Sequence, residues 1–344
     1  MPKRLRSVLC LSLMLAAVAP ASTARADGLP LPVDASATGV VSERGNLRFV
    51  TAETRRRTTV IAQAAGSGRV LGSTLLDGRF TVPLVAYDGS AGGISADGRT
   101  LVLIRPRRGF PRARTSFAVL DYRRRSATRL RMRRTIRLKG DFSYDALSPD
   151  GRSLFLIHYI SRRDATRYRV RVYDLQTGRL DPEPIVDPRE SPDEMNGLPL
   201  TRTESAGGRW AYTLYDGNGG HPFIHALDTR ERRAVCIDLD HLSRADNLMA
   251  MKLEVDASSG EMSVLDAGGP VAVVDTRTFD VTVPAPTPAR PREREQAAGD
   301  GLPWGVAGGA AAAIAGGLML LRRRRRRSQR LYPGGHVSQH PNTP

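Results

Sequence analysis

A short turn recurs along this chain, and each copy feeds a run of strand-forming residues. The clearest copies are Ser148-Pro149-Asp150-Gly151-Arg152 ahead of Ser153–Ile157, and Ser95-Ala96-Asp97-Gly98-Arg99 ahead of Thr100–Ile104. Fainter copies surround Gly45, Gly208 and Gly260, so the five glycines stand 53, 53, 57 and 52 residues apart. An even period of that size signals a repeat architecture, in which each unit is one supersecondary element that buries its faces only against neighbours.

Each unit reads as β-structure. In the third, Ser153–Tyr159 is an apolar strand, and Arg167-Tyr168-Arg169-Val170-Arg171-Val172-Tyr173 alternates with period two, as a strand with one buried face does. A turn at Asp174–Arg179 then leads to a shorter strand, 180–186. The Asp that ends the second strand recurs as Asp121, Asp228 and Asp275, and its carboxylate suits turn amides better than a metal. No helical period of useful length appears outside the two ends, so residues 38–283 are expected to be all-β, with three to four strands per unit.

Ser148-Pro149-Asp150-Gly151-Arg152-Ser153-Leu154, followed by Val170-Arg171-Val172-Tyr173-Asp174-Leu175, resembles the repeat of TolB-type, WD40-like β-propellers. The resemblance covers roughly residues 38–283 and implies a propeller of about five blades, or six or more if a long unit such as the first holds two. It also implies ring closure, with a strand near Thr38–Ser42 pairing with the last unit.

The ends carry an address. Lys3, Arg4 and Arg6, the apolar stretch Val8 to Val18 and the small-x-small Ala24-Arg25-Ala26 make residues 1–26 a signal peptide, with 27–37 a short lead into the repeats. Residues 302–321 are uncharged and are followed by six arginines, 322–327. Twenty residues of helix span about 30 Å, which crosses a bilayer core, and the positive-inside rule puts the basic tail 322–344 in the cytoplasm. The expectation is a bacterial, single-pass cell-membrane protein with an extracytoplasmic propeller and one C-terminal transmembrane helix. The Pro-alternating segment that opens 284–301 would be its stalk. Gly305, Gly309, Ala313 and Gly317 form a small-xxx-small stripe that suits a helix homodimer, although a Gly/Ala-rich helix also shows such stripes by chance.

Net charge is +17, but removing the two basic ends leaves +6 for the part between. There the charge is segregated. Between Arg105 and Lys139 fourteen Lys/Arg face one acid, Asp121, whereas Asp181–Glu194 carries six acids and one Arg. A basic sector on an exported domain suits an envelope protein, an anionic polymer or anionic lipid, with nucleic acid excluded by the compartment. Its candidate binding residues are Arg107, Arg108, Arg112, Arg114, Arg123, Arg124 and Arg125. The competing explanation is a solvated surface of an arginine-rich chain.

Catalytic chemistry is poorly represented. There is no His-x-x-x-His pair, no Gly-x-Ser-x-Gly elbow and no second cysteine beside Cys236 in the mature chain. Asp216-Gly217-Asn218-Gly219-Gly220-His221 resembles the start of a calcium loop without its distal Glu, which leaves Asp216 and His221 as weak metal candidates. No cofactor is expected. The leading reading is a non-enzymatic interaction or ligand-recognition module at the cell envelope. The alternative is a propeller hydrolase or lactonase with a metal in the central channel.

Overall fold

Five antiparallel sheets follow one another along the computed structural model, in step with the five glycine turns. The structure describes residues 39–285 apart from 125–128, 191–194 and 244, together with the paired two-residue strands β1 (Arg25–Ala26) and β2 (Val33–Asp34). These belong to one compact unit, Met1–Thr287; a second, Pro288–Pro344, lies outside the described residues. Outside them also lie the rest of the signal segment, the candidate span 302–321 with Gly305, Gly309, Ala313 and Gly317, and Arg125. Among the described residues no helix is long and apolar enough to cross a membrane.

The first sheet runs β3 (Val40–Val41), β4 (Leu47–Glu53), β5 (Arg57–Ala64), β6 (Val70–Asp77). The second has β7 (Thr100–Ile104), β8 (Arg114–Tyr122) and β9 (Leu130–Lys139). In the third, β10 (Asp141–Leu147), β11 (Ser153–Tyr159), β12 (Arg167–Asp174) and β13 (Arg179–Leu180) are joined by β14 (Met195–Asn196) on β12. The fourth is β15 (Pro199–Glu204), β16 (Trp210–Tyr215), β17 (Phe223–Asp228), β18 (Arg233–Asp238). The fifth is β19 (Lys252–Asp256), β20 (Glu261–Asp266), β21 (Gly269–Asp275), β22 (Val281–Thr282).

The repeated turn is made by the same atoms in four units. The hydroxyls of Ser42, Ser95, Ser148 and Ser205 accept from the N–H five residues on, at 3.2, 3.0, 2.9 and 2.9 Å. Their carbonyls accept from the N–H of Gly45, Gly98, Gly151 and Gly208, all at φ between +64° and +70°. That left-handed conformation is why a glycine recurs. In the fifth unit Asp256 takes the serine's place, and its carbonyl accepts from Gly260.

Neighbouring sheets stack through four apolar clusters. Phe49, Val60 and Leu76 of the first meet Leu101, Leu103 and Leu120 of the second. Val102, Ile104 and Phe117 meet Leu154 and Leu156. Phe155, Tyr168 and Val170 meet Tyr215 and Leu227, and Leu214 and Ile224 meet Met262 and Val264. A fully buried Phe or Leu contributes about 2–3 kcal/mol by area, so these seams hold the blades in register.

The expected closure by strand exchange is not what forms. β3 pairs with β4, where the Val40↔Phe49 register puts Val40 into the first seam. On β19 the exposed Lys252, Glu254 and Asp256 alternate with Leu253 and Val255, so this strand has one apolar face. The length of the first unit has another use too. Residues 78–95 do not form a hidden blade. They bridge to the inner edge of β7 at Thr81↔Ile104 and Ile94↔Leu101, folding back on themselves at Leu84↔Ala91.

Candidate functional site

The hairpin within residues 78–95 crosses from the second blade to the inner strands of the fourth and fifth. The N–H groups of Tyr87 and Asp88 donate to the carbonyls of Pro199 and Leu200 at 2.9 and 3.0 Å. The Asp88 carboxylate accepts from Thr201 Oγ1 at 2.7 Å and from Ser90, and Lys252 Nζ lies 3.5 Å away. Burial pushes this carboxyl up, but the bonds from Ser90 and Thr201 and the Lys252 charge outweigh it and leave the pKa below its ordinary value. The chain itself thus bridges the second blade to the fourth and fifth at this end. Among the described residues no three His, Cys, Asp or Glu converge as metal ligands.

The weak metal candidates have other placements. Asp216 Oδ1 accepts from the Leu198 and Asn218 N–H groups at 2.8 and 3.1 Å, which fixes the loop, and His221 is exposed. His225 is fully buried, and burial lowers its pKa. His158, also lowered chiefly by burial, stacks on Phe142 at 4.2 Å between ring centroids.

At the opposite end of the axis the repeated turns converge. The Asp97 N–H donates to the Pro149 carbonyl at 3.3 Å, and the Gly207 N–H donates to the Glu43 carboxylate. A Cβ on Gly208 would stand 3.2 Å from that of Ala96. Beside this junction the first two turns and residues 121–124 at the end of β8 line a groove of about 920 Å³. Arg44, Arg99, Arg123, Arg124 and Arg133 line it, and all five are exposed. Arg133 Nη2 donates to the Leu175 carbonyl at 3.0 Å; the other four make no ion pair among the described residues.

Three aspartates share the groove, and they are not equivalent. Asp97 and Asp150 each hold their own turn, accepting from Ser95 and Ser148 hydroxyls at 2.6 and 2.7 Å. Asp121 belongs to the strand-end series. Its counterparts Asp174, Asp228 and Asp275 each accept two turn N–H groups through Oδ1 at 2.8–3.1 Å, as expected. Asp121 accepts none among the described residues. Its carboxylate is available to the groove.

The basic sector is therefore not one face. Arg107 is buried and pairs with Asp141 and, at 3.0 Å, with Ser143 Oγ. Arg112 also turns to Asp141, with Nε 3.2 Å from Oδ1 and its backbone N–H 2.8 Å from Oδ2. Both staple the second blade to the third, so they are internal and not surface ligands. Arg108 and Arg114 are exposed, but they lie near the start of β8, whereas Arg123 and Arg124 follow its end, about 30 Å away at 3.4 Å per residue. Exposed Arg131, Arg137 and Lys139 decorate β9, an outer strand where charge blocks edge-to-edge pairing. Sequence reasoning missed Arg44 and Arg99. Their signal was the Arg beside the turn glycine in four of the five units.

Among solved structures, similarity in fold extends to both TolB and WD40-type propellers at low identity. TolB from Acinetobacter baumannii aligns at 13% identity over 74% of this chain and 56% of that one, with a TM-score of 0.40. The β-propeller domain of Myceliophteria thermophila Cps50 (Swd1) gives 12% over 72% and 70%, TM-score 0.41, and a putative TolB from Agrobacterium tumefaciens 14% over 74% and 82%, TM-score 0.38. This chain spans just over half the length of the Acinetobacter protein. Neither a family model nor a curated protein matches the sequence.

Proposed function

We propose that this chain is a membrane-anchored, extracytoplasmic β-propeller that acts as a non-enzymatic recognition module at the bacterial cell envelope. The arginine-lined groove at the turn end is its contact surface, and its partner is anionic. One observation carries this reading: Arg44, Arg99, Arg123 and Arg124, drawn from two successive blades, face one concavity with no ion-pair partner among the described residues. Five arginines against three aspartates leave the cleft net positive, which raises the local concentration of anions.

Residues 302–321 would hold the domain at the membrane, and the small-residue stripe would let two copies associate there. Crosslinking capture from intact envelopes tests the reading. The parent should retain a defined partner that the Arg123→Glu, Arg124→Glu variant loses; identical capture by both would remove the groove from the account.

A further inference from the structure

We propose that the groove takes a linear polyol phosphodiester, a chain in which phosphates alternate with hydroxyl-bearing carbons. This inference rests on the recognition reading above and names its ligand class.

Three observations favour it over an acidic protein or a lipid surface. The first is composition. Charged and polar residues make up most of the groove wall, with Leu47, Ala96 and Tyr122 its main apolar members, and Tyr122 is itself buried in the first seam. A protein partner would need an apolar centre of the kind that holds interface hot spots, and for one the groove offers only Leu47 and Ala96. The second is distribution. The guanidinium groups with no ion pair among the described residues come from three separate segments: Arg44, then Arg99, then Arg123 and Arg124. A single anion would engage one or two of them, whereas charges repeated along a chain would engage them in turn, each as a forked Arg–phosphate pair.

The third observation concerns sign. A site for charge alone has no use for carboxylates, yet Asp121 stands among the arginines with no hydrogen bond among the described residues, and Asp97 Oδ1 alone serves its turn. Carboxylates accept from hydroxyls. A wall that holds both guanidinium donors and carboxylate acceptors suits a ligand that carries both phosphate acceptors and hydroxyl donors. A concave groove of about 920 Å³ also suits an extended chain better than a flat bilayer surface.

Calorimetric titration of the full-length protein in phosphatidylcholine nanodiscs tests this with four probes: an oligomer of glycerol phosphate, inorganic polyphosphate of matched charge, monomeric glycerol phosphate, and phosphatidylglycerol vesicles. The oligomer should bind most tightly, lose affinity with added salt, and lose about tenfold more with Arg99→Gln or Arg124→Gln. Asp121→Ala should weaken the oligomer by about tenfold while strengthening polyphosphate, because one variant removes both a hydroxyl acceptor and a negative charge. The comparison of oligomer with polyphosphate on the parent protein needs no variant and stands if Asp121→Ala fails to fold. Equal or tighter binding of polyphosphate, binding of vesicles alone, or no binding by any probe would overturn the inference. Arginine-dependent envelope capture would survive each of those results and would then point to a different anionic partner.

Discussion

Thr201 on the inner strand of the fourth blade donates its hydroxyl to Asp88 Oδ2 at 2.7 Å, across 113 residues of sequence. With Lys252 beside it, this bond fastens the hairpin of the first unit to the far side of the axis. The hairpin thereby acts as a strut between blades that share no strand.

Removing that anchor should be felt globally. Asp88→Ala is expected to lower unfolding stability by about 2–3 kcal/mol, because it leaves the Thr201 and Ser90 hydroxyls without their acceptor. Lys252→Ala should change it by less than about 1 kcal/mol, since the ammonium is half exposed. Urea denaturation of the purified protein separates the two, and equal effects would mean that the charge, not the hydrogen bonds, holds the hairpin.

The repeated glycines should not be equally sensitive. Gly45→Ala places a Cβ in open space and meets only the left-handed backbone penalty, about 1 kcal/mol. Gly151→Ala adds a clash, with the Cβ 2.3 Å from Thr100 Oγ1 across the seam, for a total of about 3 kcal/mol. Melting curves that moved equally for the two variants would show that Thr100 yields.

Arg202 and Asp145 join the inner strands of the fourth and third blades at 2.8 Å, both side chains being buried. Arg202→Met alone should cost about 3–5 kcal/mol by stranding a buried carboxylate, whereas Arg202→Met with Asp145→Leu should recover most of it. A double variant no better than the single would mean that the pair also orders the tyrosines around it, Tyr144 and Tyr215, whose pKa values burial drives upward.

Acid should loosen the seam between the third and fourth blades. Burial pushes the Asp187 carboxyl up, but hydrogen bonds from Arg189 and from the Cys236 N–H outweigh it and hold the pKa at about 2, against an ordinary 3.8. The folded pKa is depressed, so the stabilisation is present above about pH 4 and is lost as pH falls toward 2. Asp187→Asn should be less stable at neutral pH and should show a flatter melting temperature across that window. Parallel pH profiles would assign the acid sensitivity to other carboxylates.

What the sequence made legible was local. Ser148, Asp150 and Gly151 close their turn with atoms two to five residues apart, so the five-fold rhythm was readable before any packing was known. Strand-end Asp174, Asp228 and Asp275 bond the next turn for the same reason. What stayed hidden depends on partners far along the chain. Arg107 looked like surface because Asp141, which buries it, stands 34 residues away in the next blade. The groove mixes turns of different units, and nothing in one unit announces that Arg44 will face Arg99.

Photo-crosslinking in living cells tests the central claim most directly. A photoreactive residue replaces Arg124, in the groove, or Arg108, near the far end of β8, in the full-length protein. The account predicts a discrete envelope adduct from position 124 and none from 108. An adduct from 108 alone, or the same adduct from both, would contradict it.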